Sequence, residues 1–162
     1  MSLTFVVGTA SDVFAEDLAR QIDAELRTRS GGERYESEPV NALGWRALQR
    51  RVLETLDLAP QLTSIDAYQA VYVPGGDGVQ HKPIGSLADP LQVGSLDALL
   101  EELRRFASAA SLPTDDLELM RLAASYLEHE DPDADLDVQT YVQLMLSAKQ
   151  ASVRGQALWL VL

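Results

Sequence analysis

Four aspartates alternate with other residues in one short stretch of the sequence: Asp131, Asp133, Asp135 and Asp137. Alternating carboxylates are typical ligands of a hard cation such as Ca²⁺, as in the loop of an EF-hand. That loop also needs glycine at its sixth position and glutamate at its twelfth, where this sequence has Leu136 and Val142. The EF-hand pattern is therefore incomplete, and the sequence predicts no metal site.

The acidic residues of the chain are concentrated around these aspartates. The chain carries 25 acidic and 13 basic side chains, a net charge of −12. Residues 115–137 contain nine carboxylates and one arginine, a local charge of −8. We interpret positions 128–137 first as a solvated connector in which Asp137 caps the next helix. A docking surface for a basic protein is the second interpretation, and a cation site is the third. The docking surface would consist of Glu128, Glu130, Asp131, Asp133 and Asp135.

The charge and the apolar runs exclude two classes of partner. Nucleic acid is not expected, because a phosphate backbone needs a basic surface. A membrane is not expected either, because the longest apolar run, residues 157–162, is of strand length and a membrane helix needs about 20 residues. The second predicted helix has a basic face, where Arg46, Arg50 and Arg51 could contact the acidic stretch within the chain or in a homo-oligomer.

A first candidate ligand site is the turn after the first predicted strand, with Gly8, Thr9 and Ser11. A turn between a buried strand and a helix offers backbone N–H groups and hydroxyls to an anion. Residues 6–12 resemble the first loop of flavodoxin-type domains, which implies a flavin or nucleotide at the end of the sheet. The segment lacks that family's Thr-Gly-x-Thr phosphate signature, and Asp12 would repel a phosphate. The alternative is an ordinary capped turn.

A second candidate follows the third strand, where Gly75, Gly76 and Asp77 precede His81. Residues 72–77 are similar to a segment of the glutamine-amidotransferase-like superfamily, in which a strand ends in Pro-Gly-Gly. That superfamily uses a cysteine nucleophile, and this chain has no cysteine, so the resemblance implies no activity. His81 could act as an acid or base near neutral pH. The alternative is an exposed turn.

The absence of cysteine removes several kinds of chemistry. Disulfides, thiolate metal sites and cysteine nucleophiles are excluded. The two histidines, His81 and His129, are far apart in sequence, so they do not form a zinc pattern by themselves. We therefore expect a cytoplasmic protein with no cofactor.

The hydrophobic pattern predicts one α/β domain over residues 1–162. Strands are expected at residues 3–7, 34–40, 67–73, 91–94 and 157–162, and a long Gly/Pro loop at residues 75–90. Helices are expected from residue 11 or 12 to Gly31, from Asn41 to Pro60, from Ser95 to residue 110, from Pro113 to residue 127, and from Asp137 to Gly155. The prediction is a small mixed or mostly parallel sheet of about four to five strands, with the terminal strands central and about five helices around it.

Two functions are compatible with these observations. The first is a non-enzymatic protein-binding domain, for instance an inhibitor or immunity-type protein, that uses the acidic stretch to contact a basic partner. The alternative is a small-molecule domain or an enzyme, in which the loops after the first and third strands converge at one crevice. The sequence does not decide between them.

Overall fold

The computed structural model describes residues 1–26, 32–128, 131 and 134–162. Over these residues the chain forms one mixed sheet of seven strands and six α-helices. The strands are β1 (Ser2–Gly8), β2 (Tyr35–Glu36), β3 (Val40–Asn41), β4 (Ala70–Val73), β5 (Gln80–Lys82), β6 (Leu91–Ser95) and β7 (Ala157–Val161). The helices are α1 (Glu16–Leu26), α2 (Leu43–Thr55), α3 (Pro60–Thr63), α4 (Leu96–Ala110), α5 (Asp116–Leu127) and α6 (Leu136–Arg154). The predicted α/β class is confirmed.

The terminal strands β1 and β7 pair with each other, but the sheet differs from the prediction in detail. The strand order is β2-β1-β7-β4-β6-β5, with β3 also paired to β1, so β1 lies second from the edge. β7 runs antiparallel to β1 and β4, and β4 with β6 is the parallel pair. The sheet is therefore mixed rather than mostly parallel. The sheet has seven strands rather than the expected four to five, and β2, β3 and β5 have two or three residues each, which is too short for a hydrophobic period.

One face of the sheet carries the larger core, under α2, α4 and α6. Helix α6 is the central helix of this layer, and its residues Tyr141, Leu144 and Ala148 are all buried in the core. Helix α2 crosses α6 at Gly44, where a Cβ atom would overlap the Thr140 hydroxyl. The two helices can approach this closely only because glycine has no side chain at this position.

The other face of the sheet is covered by α1 and has a smaller core. Ala19 and Ile22 of α1 are buried against sheet residues that include Val71 and Trp159. The ring of Phe14 packs edge-on against Trp159, with 5.7 Å between the ring centroids. Helices therefore cover both faces, in unequal numbers.

Local sequence signals fix several element ends as predicted. Ser95 caps α4, since its hydroxyl accepts a hydrogen bond from Ala98 N at 3.2 Å. Gly155 ends α6 with a left-handed φ of 62°, a conformation that glycine adopts without steric cost. The start of α2 differs by one residue, since its N-cap is Ala42; the preceding Asn41 accepts a hydrogen bond from Leu43 N at 2.9 Å.

Several boundaries differ from the prediction. The first helix begins at Glu16, because residues 10–12 form a separate 3₁₀ turn, and its predicted end near Gly31 lies outside the described residues. The expected loop at residues 75–90 contains β5, and the expected strand at residues 34–40 is divided into β2 and β3. Asp137 lies inside the first turn of α6 rather than at its cap, which is Asp135.

Candidate functional site

The turn after β1 binds its own aspartate. Asp12 Oδ2 accepts hydrogen bonds from Thr9 N at 2.8 Å and from the Thr9 hydroxyl at 3.1 Å, and that hydroxyl lies 2.7 Å from Ser11 Oγ. Gly8 lies against the same carboxylate, which would overlap a Cβ at that position. The donors that an anion would need are thus already paired with a negative charge.

The turn after β4 borders a small polar cavity of about 240 Å³. Gly75, Gly76, Asp77 and Lys82 line it, together with Leu26 of α1. Gly75 adopts a left-handed φ of 70°, and its N–H donates a hydrogen bond to Asp97 Oδ2 at 3.2 Å. The cavity lies at the carboxyl ends of the parallel strands β4 and β6, a common ligand position in α/β folds.

The two predicted loops do not line this cavity together. The strands β1 and β4 that carry them are separated by β7, a distance of roughly 10 Å for two strand spacings. The described lining includes none of Gly8, Thr9 and Ser11. His81 is exposed on β5 and does not line the cavity, whereas its neighbour Lys82 does.

The acidic stretch is described in part, since Glu130 and Asp133 lie outside the described residues, as does His129. Glu128, Asp131 and Asp135 are exposed. The Tyr126 hydroxyl donates a hydrogen bond to Asp135 Oδ2 at 3.4 Å. Burial raises the pKa of the Tyr126 phenol, and the negative charge of Asp135 raises it further. Tyr126 therefore keeps its proton and ties the end of α5 to the acidic stretch.

Asp137 has a different role from its acidic neighbours. Its carboxylate forms an ion pair with Arg51, with 2.7 Å between Asp137 Oδ2 and Arg51 Nη1. The basic face of α2 and the acidic stretch thus make contact within the chain through Arg51. Asp137 is consequently a structural group rather than part of an open surface.

A larger cavity, which sequence reasoning did not identify, runs along α5 next to the acidic stretch. Its volume is about 430 Å³. The helical wall is largely apolar and includes Met120, Ala124 and Leu127 of α5 with Val142 and Leu146 of α6. The facing wall is the chain around β2 and β3, where Tyr35, Pro39 and Val40 are joined by the exposed carboxylates Glu36 and Glu38.

A second cavity of about 370 Å³ continues this depression toward the N-terminus of the chain. Both cavities are lined by Pro39, Val40, Tyr126, Leu127 and Gln139, and the second also reaches Met1. We call the two cavities together the α5 groove. It is an open apolar channel with carboxylates on one wall and the acidic stretch at one end.

The α5 groove exists because α5 is a peripheral helix. Asp115 caps it by accepting a hydrogen bond from Glu118 N at 3.3 Å, and of its own residues only Leu119 is fully buried. Burial also raises the pKa of Tyr35 on the facing wall, against the opposing effects of a hydrogen bond to Ser147 and the nearby Arg154 guanidinium. The described lining of the groove thus combines aliphatic side chains and neutral phenols with the carboxylates Glu36 and Glu38.

The described part of the chain holds neither a cluster of metal ligands nor a membrane-spanning helix. Within it, no three side chains among histidine, aspartate and glutamate are placed to hold a metal ion. None of its helices combines the length and the apolar character that crossing a bilayer requires.

Comparison of the chain with protein-family models, with curated proteins and with solved structures gave no match. The arrangement of the α5 groove and the acidic stretch is therefore the basis on which function is inferred.

Proposed function

We propose that this chain is a non-enzymatic protein-binding domain whose partner presents a basic surface with apolar side chains. The observation that carries the proposal is the position of the α5 groove beside the acidic stretch. Contiguous exposed apolar patches on a soluble domain mark interaction sites. A patch that is bordered by carboxylates selects partners of positive charge. The proposed setting is the cytoplasm, where a chain without disulfides is common.

The charge of the domain supports the same partner class. Glu38 borders the groove on one wall, beside Glu36, which is paired with Arg34 at 3.1 Å. Glu128, Asp131 and Asp135 follow at the end of α5. Lysine or arginine side chains next to an apolar segment would approach these carboxylates as that segment enters the groove. Such attraction accelerates association and disfavours acidic competitors.

The proposal can be tested with a library of random peptides displayed on phage, using the protein as bait. Peptides enriched by the domain should combine lysine or arginine with large apolar residues. Binding of an enriched peptide should weaken in the triple variant Asp131→Asn, Asp133→Asn and Asp135→Asn, and its salt dependence should flatten. Asp137 is left unchanged because it pairs with Arg51.

The matched control carries the same loss of charge elsewhere: Asp57→Asn, Asp66→Asn and Asp89→Asn, all at exposed positions. If both triple variants lose affinity equally, only net charge matters and the acidic stretch is not the contact surface. Enrichment of acidic peptides would contradict the proposal outright.

A second candidate function is supported by the 240 Å³ cavity at the ends of β4 and β6. Lys82 and the glycine backbone there could hold a small anionic ligand, with Asp77 orienting a hydroxyl or amine. Native followed by denaturing mass spectrometry of the purified protein would release such a ligand. A thermal shift with nucleotides or flavins would favour this function, and a Lys82→Ala variant should abolish that shift.

A further inference from the structure

Helix α5 has a second apolar face that the fold does not use. Leu117, Met120, Ala124 and Leu127 are spaced by three, four and three residues. This is the spacing of the a and d positions of a heptad repeat, which place side chains in one row along a helix. The side chains of this row are exposed: Leu117 and Met120 at 56% and Leu127 at 81%.

A neighbouring face of α5 already provides its packing against the domain. Leu119 is fully buried, and Leu122 and Ala123 pack against the same core. The exposed row therefore contributes little to the stability of the domain, and it leaves large apolar side chains in water. Three members of the row, Met120, Ala124 and Leu127, form part of the wall of the α5 groove.

The facing wall of the groove favours a helix over a strand as the bound segment. The row from Leu117 to Leu127 spans ten residues, or about 15 Å along the helix axis, which matches three turns of a second helix packed alongside. A strand would need a regular edge with free N–H and C=O groups. The facing wall does not provide one, because β2 and β3 are separated by Pro39, which has no N–H.

The charges around the row indicate a basic occupant. Asp115 lies at the start of α5 and Glu128 at its end, and both are exposed. The other two carboxylates of the first turn are already paired, Glu118 with Arg121 at 2.8 Å and Asp116 with Lys149 of α6. A second copy of this chain would place these acidic ends next to its own acidic ends in either a parallel or an antiparallel pairing, so repulsion disfavours a homodimer through α5.

We propose that the α5 groove binds an amphipathic helix of a partner protein, with an apolar row facing Leu117, Met120, Ala124 and Leu127 and with lysine or arginine beside that row. The inference rests on the proposed function and makes it specific, because it fixes both the secondary structure and the charge of the bound segment. Binding would bury the exposed row of α5 and pair the flanking carboxylates with basic side chains.

The test uses three synthetic peptides of about 16 residues, or four helical turns. The first has leucines at positions i, i+3, i+7 and i+10 with lysine, arginine and alanine elsewhere. The second has the same composition in an order that breaks this spacing. The third keeps the spacing but has glutamate in place of lysine and arginine. Affinity is measured by fluorescence anisotropy at physiological salt, and helix formation by circular dichroism of the mixture.

The full chain is compared with a groove variant, Met120→Ser with Leu127→Ser, and with a matched control, Leu53→Ser with Leu58→Ser. All four side chains are exposed, at 56%, 81%, 67% and 71%, so neither variant removes core packing. None of these changes alters the net charge. We expect the first peptide to gain helix on binding and to bind at least tenfold more tightly than the other two. The groove variant should lose at least tenfold in affinity, and the control variant should not.

The outcomes separate this inference from the proposed function. One outcome is that the second peptide binds as tightly as the first, and that the triple variant Asp131→Asn, Asp133→Asn and Asp135→Asn lowers the affinity of both. The partner is then basic but not helical, and only the present inference fails. If no basic peptide binds, both fail. If sedimentation shows a dimer of the chain that Met120→Ser with Leu127→Ser dissociates, the occupant is a second copy, and the basic helix is wrong.

Discussion

Arg51 and Asp137 join α2 to the first turn of α6 through an ion pair of 2.7 Å between Nη1 and Oδ2. The Arg51 guanidinium also lies 5.8 Å from the centre of the Phe106 ring of α4, so one side chain connects three helices. The side chains of Arg51 and Asp137 are 37% and 22% exposed, which makes the pair partly shielded from solvent. This contact fixes where α6 begins and removes Asp137 from the open acidic surface.

Replacing Arg51 by methionine should lower the free energy of unfolding by about 1 kcal/mol, because Asp137 loses its partner while most of the apolar stem is kept. Arg50→Met, at an exposed position on the same helix, should change it by less than about 0.5 kcal/mol. Urea denaturation of both variants measures the difference. Adding Asp137→Asn to Arg51→Met should cost little further, since the pair is already broken. Equal effects of Arg51→Met and Arg50→Met would show that the ion pair is not significant.

The crossing of α2 and α6 gives a second prediction, at Gly44. An alanine there would place its Cβ against the Thr140 hydroxyl and 3.0 Å from the Leu136 carbonyl oxygen. Gly44→Ala should therefore destabilise the domain by about 1–3 kcal/mol despite the better helix propensity of alanine. Thermal or chemical denaturation reports this loss.

Two further variants check the cause of the loss at Gly44. Adding Thr140→Ala should recover part of the stability, because it removes the hydroxyl that the new Cβ meets. Gly85→Ala serves as the control, since a Cβ there would approach only the end of the flexible Gln21 side chain. Additive effects of Gly44→Ala and Thr140→Ala would contradict a steric cause.

The sequence predicted the elements that bury apolar side chains with a clear period. Residues 3–7 and 157–162 were recognised as strands because they are short apolar runs, and Ser95 and Gly155 marked helix ends by their own conformational preferences. The sequence does not place β2, β3 and β5 correctly. These strands are defined by their hydrogen bonds to a neighbouring strand, and a segment of two or three residues is too short to show a strand pattern of its own.

The candidate site was less accessible to sequence reasoning than the fold. The helical spacing of apolar residues places Leu119, Met120, Ala123 and Leu127 on the buried side of α5, yet in the structure Met120 and Leu127 are exposed. The sequence contains one sign of the exposed row. The apolar residues of α5 cover more of the helix circumference than a single buried face needs, because Leu117, Met120 and Leu127 lie outside the row that packs on the domain. Which of two apolar faces turns inward depends on how α5 packs against α6, and spacing alone does not determine that.

The turn after β1 gives a third prediction, at Asp12. Asp12→Ala removes the acceptor of Thr9 N and of the Thr9 hydroxyl, so it should cost about 1 kcal/mol of stability, as for other capping interactions. Millimolar inorganic phosphate should leave the melting temperature of the unmodified chain unchanged, because its donors are paired with a carboxylate. In Asp12→Ala the same donors are free, and phosphate should raise the melting temperature. A phosphate-dependent rise in the unmodified chain would contradict this explanation and favour an anion site at Gly8, Thr9 and Ser11.

The last prediction concerns Glu102, a carboxylate of α4 that is only 3% exposed. Its two oxygens accept hydrogen bonds from Gln61 N and Leu62 N, both at 3.0 Å, at the start of α3. Burial raises the pKa of Glu102 above its ordinary value of 4.5, and the two backbone hydrogen bonds oppose that rise without cancelling it. The carboxyl group therefore holds α3 against α4. Its protonated form is more favoured in the folded chain than in the unfolded chain.

Glu102→Gln should reduce the free energy of unfolding by about 1–3 kcal/mol at neutral pH, because the amide offers one acceptor oxygen where two N–H groups need partners. The folded chain binds the Glu102 proton more tightly than the unfolded chain, so the contribution of Glu102 to stability falls as pH rises from 4.5 through the raised pKa. Glutamine does not titrate, so the stability difference between the unmodified chain and the variant should be larger at acidic pH and narrow as pH rises. Urea denaturation across this range measures the difference, and Glu101→Gln, at an exposed position on the same helix, is the control. A difference that widens with pH would mean that the hydrogen bonds outweigh burial and that the pKa of Glu102 is lowered in the folded state.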